Sequence, residues 1–140
     1  MLKIAVKNLQ KKVLLHPEQI KRLIKKILKE EKVRFNGEIT VSVVTDNLIR
    51  KLNKLYSNKD MPTDVLAFNT AERFNKGGFI ADIIVSSDTA LYNCRLYGTP
   101  VLAELNLYIT HGLLHLLGYN HNFSCKGKIM RAKERKYANT

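Results

Sequence analysis

The sequence predicts an α+β fold in which a small mixed β-sheet of about four strands is covered by about five helices. Strand-like runs rich in β-branched residues alternate along the chain with segments of helical apolar spacing. Two of these runs, residues 65–68 and 79–85, are separated by Gly77-Gly78, which favours an antiparallel hairpin. The chain has 140 residues, 45% of them apolar, and we expect one domain over residues 1–140.

The first three elements are predicted to be a strand, a helix and a strand. Residues 2–6 alternate between apolar and polar side chains, as a half-buried strand does. Apolar residues recur at helical spacing from Pro17 to Glu31, and proline is favoured in a first helical turn. Residues 38–44 are mostly β-branched, which is typical of a strand.

A second helix should follow with Asp46 as its N-cap, because a short polar side chain there can accept from a free backbone N–H group. The polar stretch at residues 57–60 and Pro62 should end this helix. We expect four of its apolar side chains to point inward: Leu48, Ile49, Leu52 and Leu55.

Three further helices are predicted after the hairpin. Ser87 and Asp88 can cap a helix that runs to about Tyr97. A longer helix should extend from about Val101 to Leu117, and a strongly basic helix closes the chain.

Three histidines fall within eleven residues at the end of the longer helix: His111, His115 and His121. Residues four apart leave a helix only about 40° apart, so the first two can share a ligand. Gly118 can take the left-handed conformation that ends a helix and returns the chain toward them. Each histidine alone is more often an ordinary hydrogen-bonded residue, but the joint pattern favours a catalytic zinc site with an open fourth position.

Two alternatives concern the chemistry of this site. Cys125 lies four residues beyond His121 and could close the site as a structural ligand. The spacing is similar to the metzincin zinc signature, in which a Glu after the first histidine is the general base of a protease. Because Gly112 stands there, we expect a metzincin-like zinc-site helix without peptidase activity. Glu104 lies about two turns away, and we expect it outside the ligand set or at the surface.

The chain carries 24 Lys and Arg against 12 Asp and Glu, a net charge of +12. This excess favours a polyanionic partner, nucleic acid ahead of an anionic membrane surface, although charge runs are often only solvated helix faces. Two stretches hold much of the charge: Lys21, Arg22, Lys25, Lys26 and Lys29, then Lys126, Lys128, Arg131, Lys133, Arg135 and Lys136. No signal peptide or membrane-spanning run is recognisable, so we expect a cytoplasmic protein with no membrane partner.

Three sequence blocks resemble the YbeY family of bacterial single-strand-specific endoribonucleases. The segment His-Gly-Leu-Leu-His-Leu-Leu-Gly-Tyr-Asn-His at 111–121 is similar to the family signature H-G-x-L-H-L-x-G-Y-D-H. Leu52-Asn53 and residues 59–68 resemble its L-N and K-D-x-P-T-D-V-L-S-F segments, and residues 81–86 resemble G-D-I-x-I-S. The order and spacing of the blocks match along almost the whole chain, which makes the resemblance specific.

The resemblance implies a metal-dependent endoribonuclease with one Zn²⁺ per chain, held by His111, His115 and His121. It also implies processing of the 16S rRNA 3′ end, ribosome quality control, and association with the ribosome or its small subunit. The positive charge supports a polyanionic partner and the histidines support a metal ion, but neither observation alone identifies rRNA as the substrate.

Two positions depart from the family pattern. The family segment L-N-x-x-Y-R has an arginine where this chain has Ser57. An arginine there would hold the scissile phosphate in a bidentate contact, which a serine hydroxyl cannot do. We hypothesise that Lys54 or Lys59 supplies a positive charge instead. Asn120 replaces the family's aspartate, which removes a negative charge that would polarise a neighbouring histidine.

The remaining polar candidates are on a loop and a strand. Alone, Asp64 is most simply a turn residue and Asp82 a solvent-facing strand residue, but the resemblance places Thr63 and Asp64 beside the cleft. The predicted catalytic residues are His111, His115, His121, Lys59 and Asp64, and the predicted substrate-binding residues are Lys54, Ser57, Lys59 and Thr63. The alternative to an enzyme is a ribosome-associated RNA-binding factor with a mainly structural zinc and weak or lost catalysis.

Overall fold

The computed structural model describes residues 2–34, 36–69 and 79–118, which form a four-stranded mixed sheet and four helices. The strands are β1 (Leu2–Asn8), β2 (Gly37–Val44), β3 (Val65–Asn69) and β4 (Phe79–Ser86). The helices are α1 (Pro17–Glu30), α2 (Asp46–Ser57), α3 (Ser87–Tyr97) and α4 (Val101–Leu116). The predicted α+β class is confirmed. The predicted basic fifth helix and the Gly77-Gly78 turn lie outside the described residues.

The strands lie in the order β1-β2-β4-β3. Strand β2 pairs parallel with both β1 and β4, whereas β3 pairs antiparallel with β4, so the predicted antiparallel pairing is confirmed. In its register Val65 lies opposite Val85, and Asn69 lies opposite Ala81. Within the described part of the chain, β3 is therefore an edge strand.

The two faces of the sheet are covered by different helices. Alternate side chains of β2, such as Ile39 and Val41, are fully buried in a core shared with α1, α3 and α4. On the opposite face, Leu66 and Ile84 pack with Ile49 of α2 in a smaller cluster. The edge strand β3 thus lies between α4 on one face and α2 on the other.

The N-cap of α2 lies one residue before the predicted one, and that of α3 lies one residue before Ser87 and two before Asp88. Thr45 and Ser86 each accept a backbone N–H of the first turn, at 3.3 Å and 3.1 Å. Asp46 as one cap, and Ser87 or Asp88 as the other, are therefore wrong predictions, because the residue before each helix still has the extended backbone of a cap. The Asp46 carboxylate instead accepts from the Ser86 hydroxyl, and the Asp88 carboxylate accepts the Asp46 backbone N–H.

Helix α2 buries a narrower stripe than its apolar spacing predicts. Ile49 is fully buried and Leu52 packs against the smaller core, but Leu55 is 72% exposed. The expected inward orientation of Leu55 is wrong, because among the described residues the small cluster includes Leu48, Ile49 and Leu52 of α2 but not Leu55.

Helix α4 ends close to the predicted boundary. Gly118 follows the C-cap with φ +100°, a left-handed backbone that glycine adopts without strain. Among the described residues, no helix has both the length and the hydropathy that crossing a membrane would require.

Candidate active site

Helix α4 presents His111 and His115, one turn apart, to a cleft of about 230 Å³ beside the edge strand β3. The first imidazole belongs to a partly buried residue and the second to an exposed one. The other residues that line the cleft come from α2, β3 and α4: Ser57, Val65, Leu66, Ala67, Phe68 and Gly112. Two residues of the predicted histidine triad therefore open on the same space.

Gly112 lets α4 lie directly on β3 and β4. A Cβ at this position would come within 3.0 Å of Ile83 Cγ2 and 3.1 Å of Val65 Cγ2. At such distances the two neighbouring methyl groups would have to give by a few tenths of an ångström, so a side chain here would strain the contact between α4 and the strands. The position that holds the general base in metzincins is thus a packing contact in this protein.

Ser57, the last residue of α2, lines the same cleft as the two histidines. The position at which the resemblance implies an arginine therefore lines the same cleft as the two histidines. Serine contributes a short neutral hydroxyl there, which can donate one hydrogen bond but carries no charge.

The two lysines predicted near the site are exposed and are not among the residues that line the cleft. Next to them, Arg50 Nε donates to Asp60 Oδ1 at 2.8 Å. This hydrogen bond lowers the pKa of Asp60, and Lys54 adds a smaller effect in the same direction. Lys59 forms no ion pair within the described ranges, so its charge is not shared with a carboxylate there.

Asn53 was not predicted as a functional residue, although it belongs to the Leu52-Asn53 block. Its side chain is buried, and Nδ2 donates to the backbone carbonyl of Met61 at 3.0 Å. A polar amide among the apolar residues of a helix face indicates a side chain that is buried and hydrogen-bonded to a neighbouring segment. This hydrogen bond holds the loop between α2 and β3, which carries Lys59.

Asp64 and Thr63 form local contacts at the start of β3. Asp64 Oδ1 accepts the Val65 backbone N–H at 2.8 Å and the Thr63 hydroxyl at 3.3 Å. Both residues are absent from the cleft lining, and the Asp64 side chain is exposed, as expected of a turn residue. Asp82 is partly buried on β4, where it pairs in register with Phe68.

Glu104 is buried, so of its two expected placements, outside the ligand set or at the surface, the surface one is wrong. It is only 8% exposed, and its Oε1 accepts the Thr99 hydroxyl at 2.8 Å. One turn later, the buried Tyr108 hydroxyl accepts from Asn93 Nδ2 at 2.7 Å. Burial raises the pKa of the Tyr108 phenol well above its ordinary value. The first contact ties α4 to the segment before it and the second ties α4 to α3, on the helix face that continues to His111.

The donor set that the structure describes fits part of a zinc site. Neutral imidazoles are common zinc ligands, and two of them one turn apart on one cleft supply two donors. Across residues 2–34, 36–69 and 79–118, no group of three or more His, Cys, Asp or Glu could hold a metal. His121, Asn120 and Cys125, on which predictions also rest, lie outside these ranges.

A second, basic cleft of about 400 Å³ lies between α1 and α4. Its lining residues are Gln19, Arg22, Leu23, Lys26 and Asn106. Arg22 and Lys26 are exposed and form no ion pair in the part of the chain that the structure describes. The basic stretch at residues 126–136 lies outside that part.

The fold and the site together define an α+β protein with a paired-histidine helix beside an edge strand. The family model described as Endoribonuclease YbeY matches residues 5–140. The chain belongs to this family.

Relatives and one solved structure agree with this assignment. A protein from Anaeromyxobacter dehalogenans named Endoribonuclease YbeY is 41% identical over 105 residues, which cover 75% of this chain and 54% of that protein. One of the same name from Thermoanaerobacter sp. is 39% identical over 130 residues, covering 84% of this chain and 82% of that protein. The chain thus spans about half the length of the Anaeromyxobacter relatives. The solution structure of a Thermotoga maritima protein is similar at 31% identity and a TM-score of 0.65, covering 99% of this chain and 87% of that one.

Proposed function

We propose that this protein is a single-strand-specific, zinc-dependent endoribonuclease of the cytoplasm. Its role is maturation of the 16S rRNA 3′ end and ribosome quality control, in association with the small ribosomal subunit. Membership of the family supports hydrolysis of RNA phosphodiester bonds. The observation that carries the proposal is the cleft shared by His111 and His115 at the edge strand β3.

His111, His115 and His121 are the proposed ligands of one Zn²⁺. The first two open on the same cleft, which supports their part of the set. Zinc bound there would supply Lewis acidity for phosphodiester hydrolysis. Gly112 brings α4 close to β3 along one wall of this cleft, which we propose receives the phosphate.

Residues around the cleft would bind the RNA backbone. The Ser57 hydroxyl can donate a hydrogen bond to a phosphate oxygen from inside the cleft. Lys59 is exposed and can add a positive charge from the loop. Asp64 uses Oδ1 for the start of β3, which leaves Oδ2 to accept from a ribose hydroxyl or an attacking water.

The replacement of the family arginine is testable at three positions. Lys59→Ala should lower cleavage of single-stranded RNA more than Lys54→Ala, because Lys54 already interacts with Asp60. Ser57→Arg should raise cleavage, since a bidentate contact inside the cleft would be restored. If both alanine variants cleave RNA at the parent rate, neither lysine compensates for the arginine.

The basic cleft between α1 and α4 supports binding of RNA phosphates. Replacing Arg22 and Lys26 with glutamine should make the plot of log affinity for single-stranded RNA against log salt concentration less steep. The slope should fall in magnitude by about 0.7 per lost phosphate contact. Lys25→Gln with Lys29→Gln is the matched control, because these exposed residues have the same spacing but do not line the cleft. Equal losses in the two pairs would show that only net charge matters.

The neutral Ser57 in the cleft also favours a second candidate, a ribosome-associated RNA-binding factor with a mainly structural zinc. The variant His111→Ala separates the two candidates. An enzyme should lose cleavage while still binding RNA, whereas a binding factor should lose folding stability and have no metal-dependent cleavage to lose. His16→Ala is the control, because this exposed histidine lies at the start of α1 and not in the cleft.

A further inference from the structure

Tyr56 is an exposed aromatic residue beside the wall of the histidine cleft. It lies on α2 directly before Ser57, and its side chain is 61% exposed. Its ring packs against the ring of Phe68 with a centroid distance of 4.8 Å and an interplanar angle of 48°. Phe68 and Ser57 both line the cleft that contains the histidines.

This aromatic pair is supported on one side and open on the other. Phe68 packs against the small core between α2 and the sheet, which fixes the inner ring. Tyr56 rests on that ring, so its position is defined although most of its surface faces solvent. An exposed, pre-positioned ring can receive another flat ring at little entropic cost.

Nucleobases are the flat rings that the proposed substrate offers. Unpaired RNA bases stack on tyrosine and phenylalanine in many single-strand-binding proteins, whereas bases in a duplex are stacked on each other and inaccessible. A phosphate near His111 and His115 would place a neighbouring base within reach of the β3 edge.

We infer that Tyr56 and Phe68 form a stacking platform for an unpaired nucleobase next to the scissile phosphate. The inference rests on the proposed function and deepens it, because it assigns the preference for single strands to two named side chains. Tyr56 binds and orients substrate in this account and takes no part in proton transfer.

The test compares the affinity of Tyr56→Ala, Tyr56→Phe and the parent for three probes. These are a single-stranded RNA decamer that contains 2-aminopurine, an abasic decamer with equal phosphates, and an RNA duplex. Tyr92→Ala on α3 is the matched control, because this tyrosine is 67% exposed and lines a different cleft. Thermal unfolding establishes that each variant is folded.

Tyr56→Ala should weaken binding of the base-containing decamer about 5- to 150-fold and reduce quenching of the 2-aminopurine, with abasic RNA unaffected. Tyr56→Phe should retain most of the affinity, since it keeps the ring. The inference is overturned if Tyr56→Ala weakens the abasic decamer equally, or if it behaves like Tyr92→Ala. A parent that binds and quenches without cleaving would refute the nuclease proposal and leave the platform standing. If the parent cleaves RNA but Tyr56→Ala binds the base-containing decamer as tightly as the parent does, the platform is refuted and the nuclease proposal stands.

Discussion

Replacing Gly112 with alanine should destabilise the fold by about 1 kcal/mol, although the same change in an exposed helix stabilises by about that amount. The new methyl group would come within 3.0 Å of Ile83 Cγ2 and 3.1 Å of Val65 Cγ2, a few tenths of an ångström closer than ordinary contact. Overpacking of this kind costs about 1–3 kcal/mol, and the helix propensity of alanine offsets about 1 kcal/mol. The net loss is therefore about 0–2 kcal/mol.

Urea and thermal unfolding measure this change directly. A loss of about 1 kcal/mol corresponds to a Tm lower by about 4 °C in a domain of this size. Val65→Ala removes one of the two contacting methyl groups, so the double variant should lose less stability than the two single variants added together. A higher Tm for Gly112→Ala, or strictly additive losses, would refute the close packing of α4 on β3 and β4.

Three further changes test other contacts. The Asp46 backbone N–H holds the pKa of Asp88 below its ordinary value, so this carboxylate stabilises the fold above about pH 4, and the effect is lost as pH falls through the lower folded pKa. Asp88→Asn should flatten the acid side of a Tm-against-pH curve, and an unchanged acid slope would contradict this. Burial raises the pKa of Tyr108, so the stability that its neutral phenol contributes is fully present below about pH 10 and declines above it, as the phenol of the unfolded chain ionises. Tyr108→Phe should flatten that decline, and an equally steep decline would contradict the burial of this phenol. Asn53→Ala should cost about 1–2 kcal/mol in urea unfolding, because the hydrogen bond to the Met61 carbonyl is lost, and no change would show that this bond contributes little.

Apolar periodicity or β-branched composition predicted β1, β2, α1 and α2, whereas cap and boundary residues predicted α3 and α4. The boundaries at Thr45 and Ser86 were missed by one or two residues, because each lies in a run of cap-competent residues and only the backbone conformation decides among them. The inward orientation of Leu55 was wrong since helical spacing cannot tell how wide a strip of sheet a helix covers. The parallel pairing of β2 with β4, which puts β3 at the edge, depends on long-range contacts that local patterns do not encode.

For the site, spacing alone placed His111 and His115 together, because residues four apart on a helix share a face. That Ser57 lines the same cleft depends on how α2 and α4 are placed on the two faces of β3, which no local pattern contains. Tyr56 and Phe68 were missed for the same reason. A surface position for Glu104 was one of two alternatives that followed from its distance of about two turns from His111. That distance does not reveal that Thr99 hydrogen-bonds the carboxylate inside the fold.

The most direct test of the central claim is reversible, zinc-dependent cleavage of a single-stranded rRNA precursor. The purified protein is assayed with its bound zinc, after chelation, and after zinc is added back, beside a duplex of the same sequence. We predict about one zinc per chain, cleavage of the single strand that is lost on chelation and restored by zinc, and no cleavage of the duplex. Undiminished cleavage by metal-free protein would contradict the proposed histidine site.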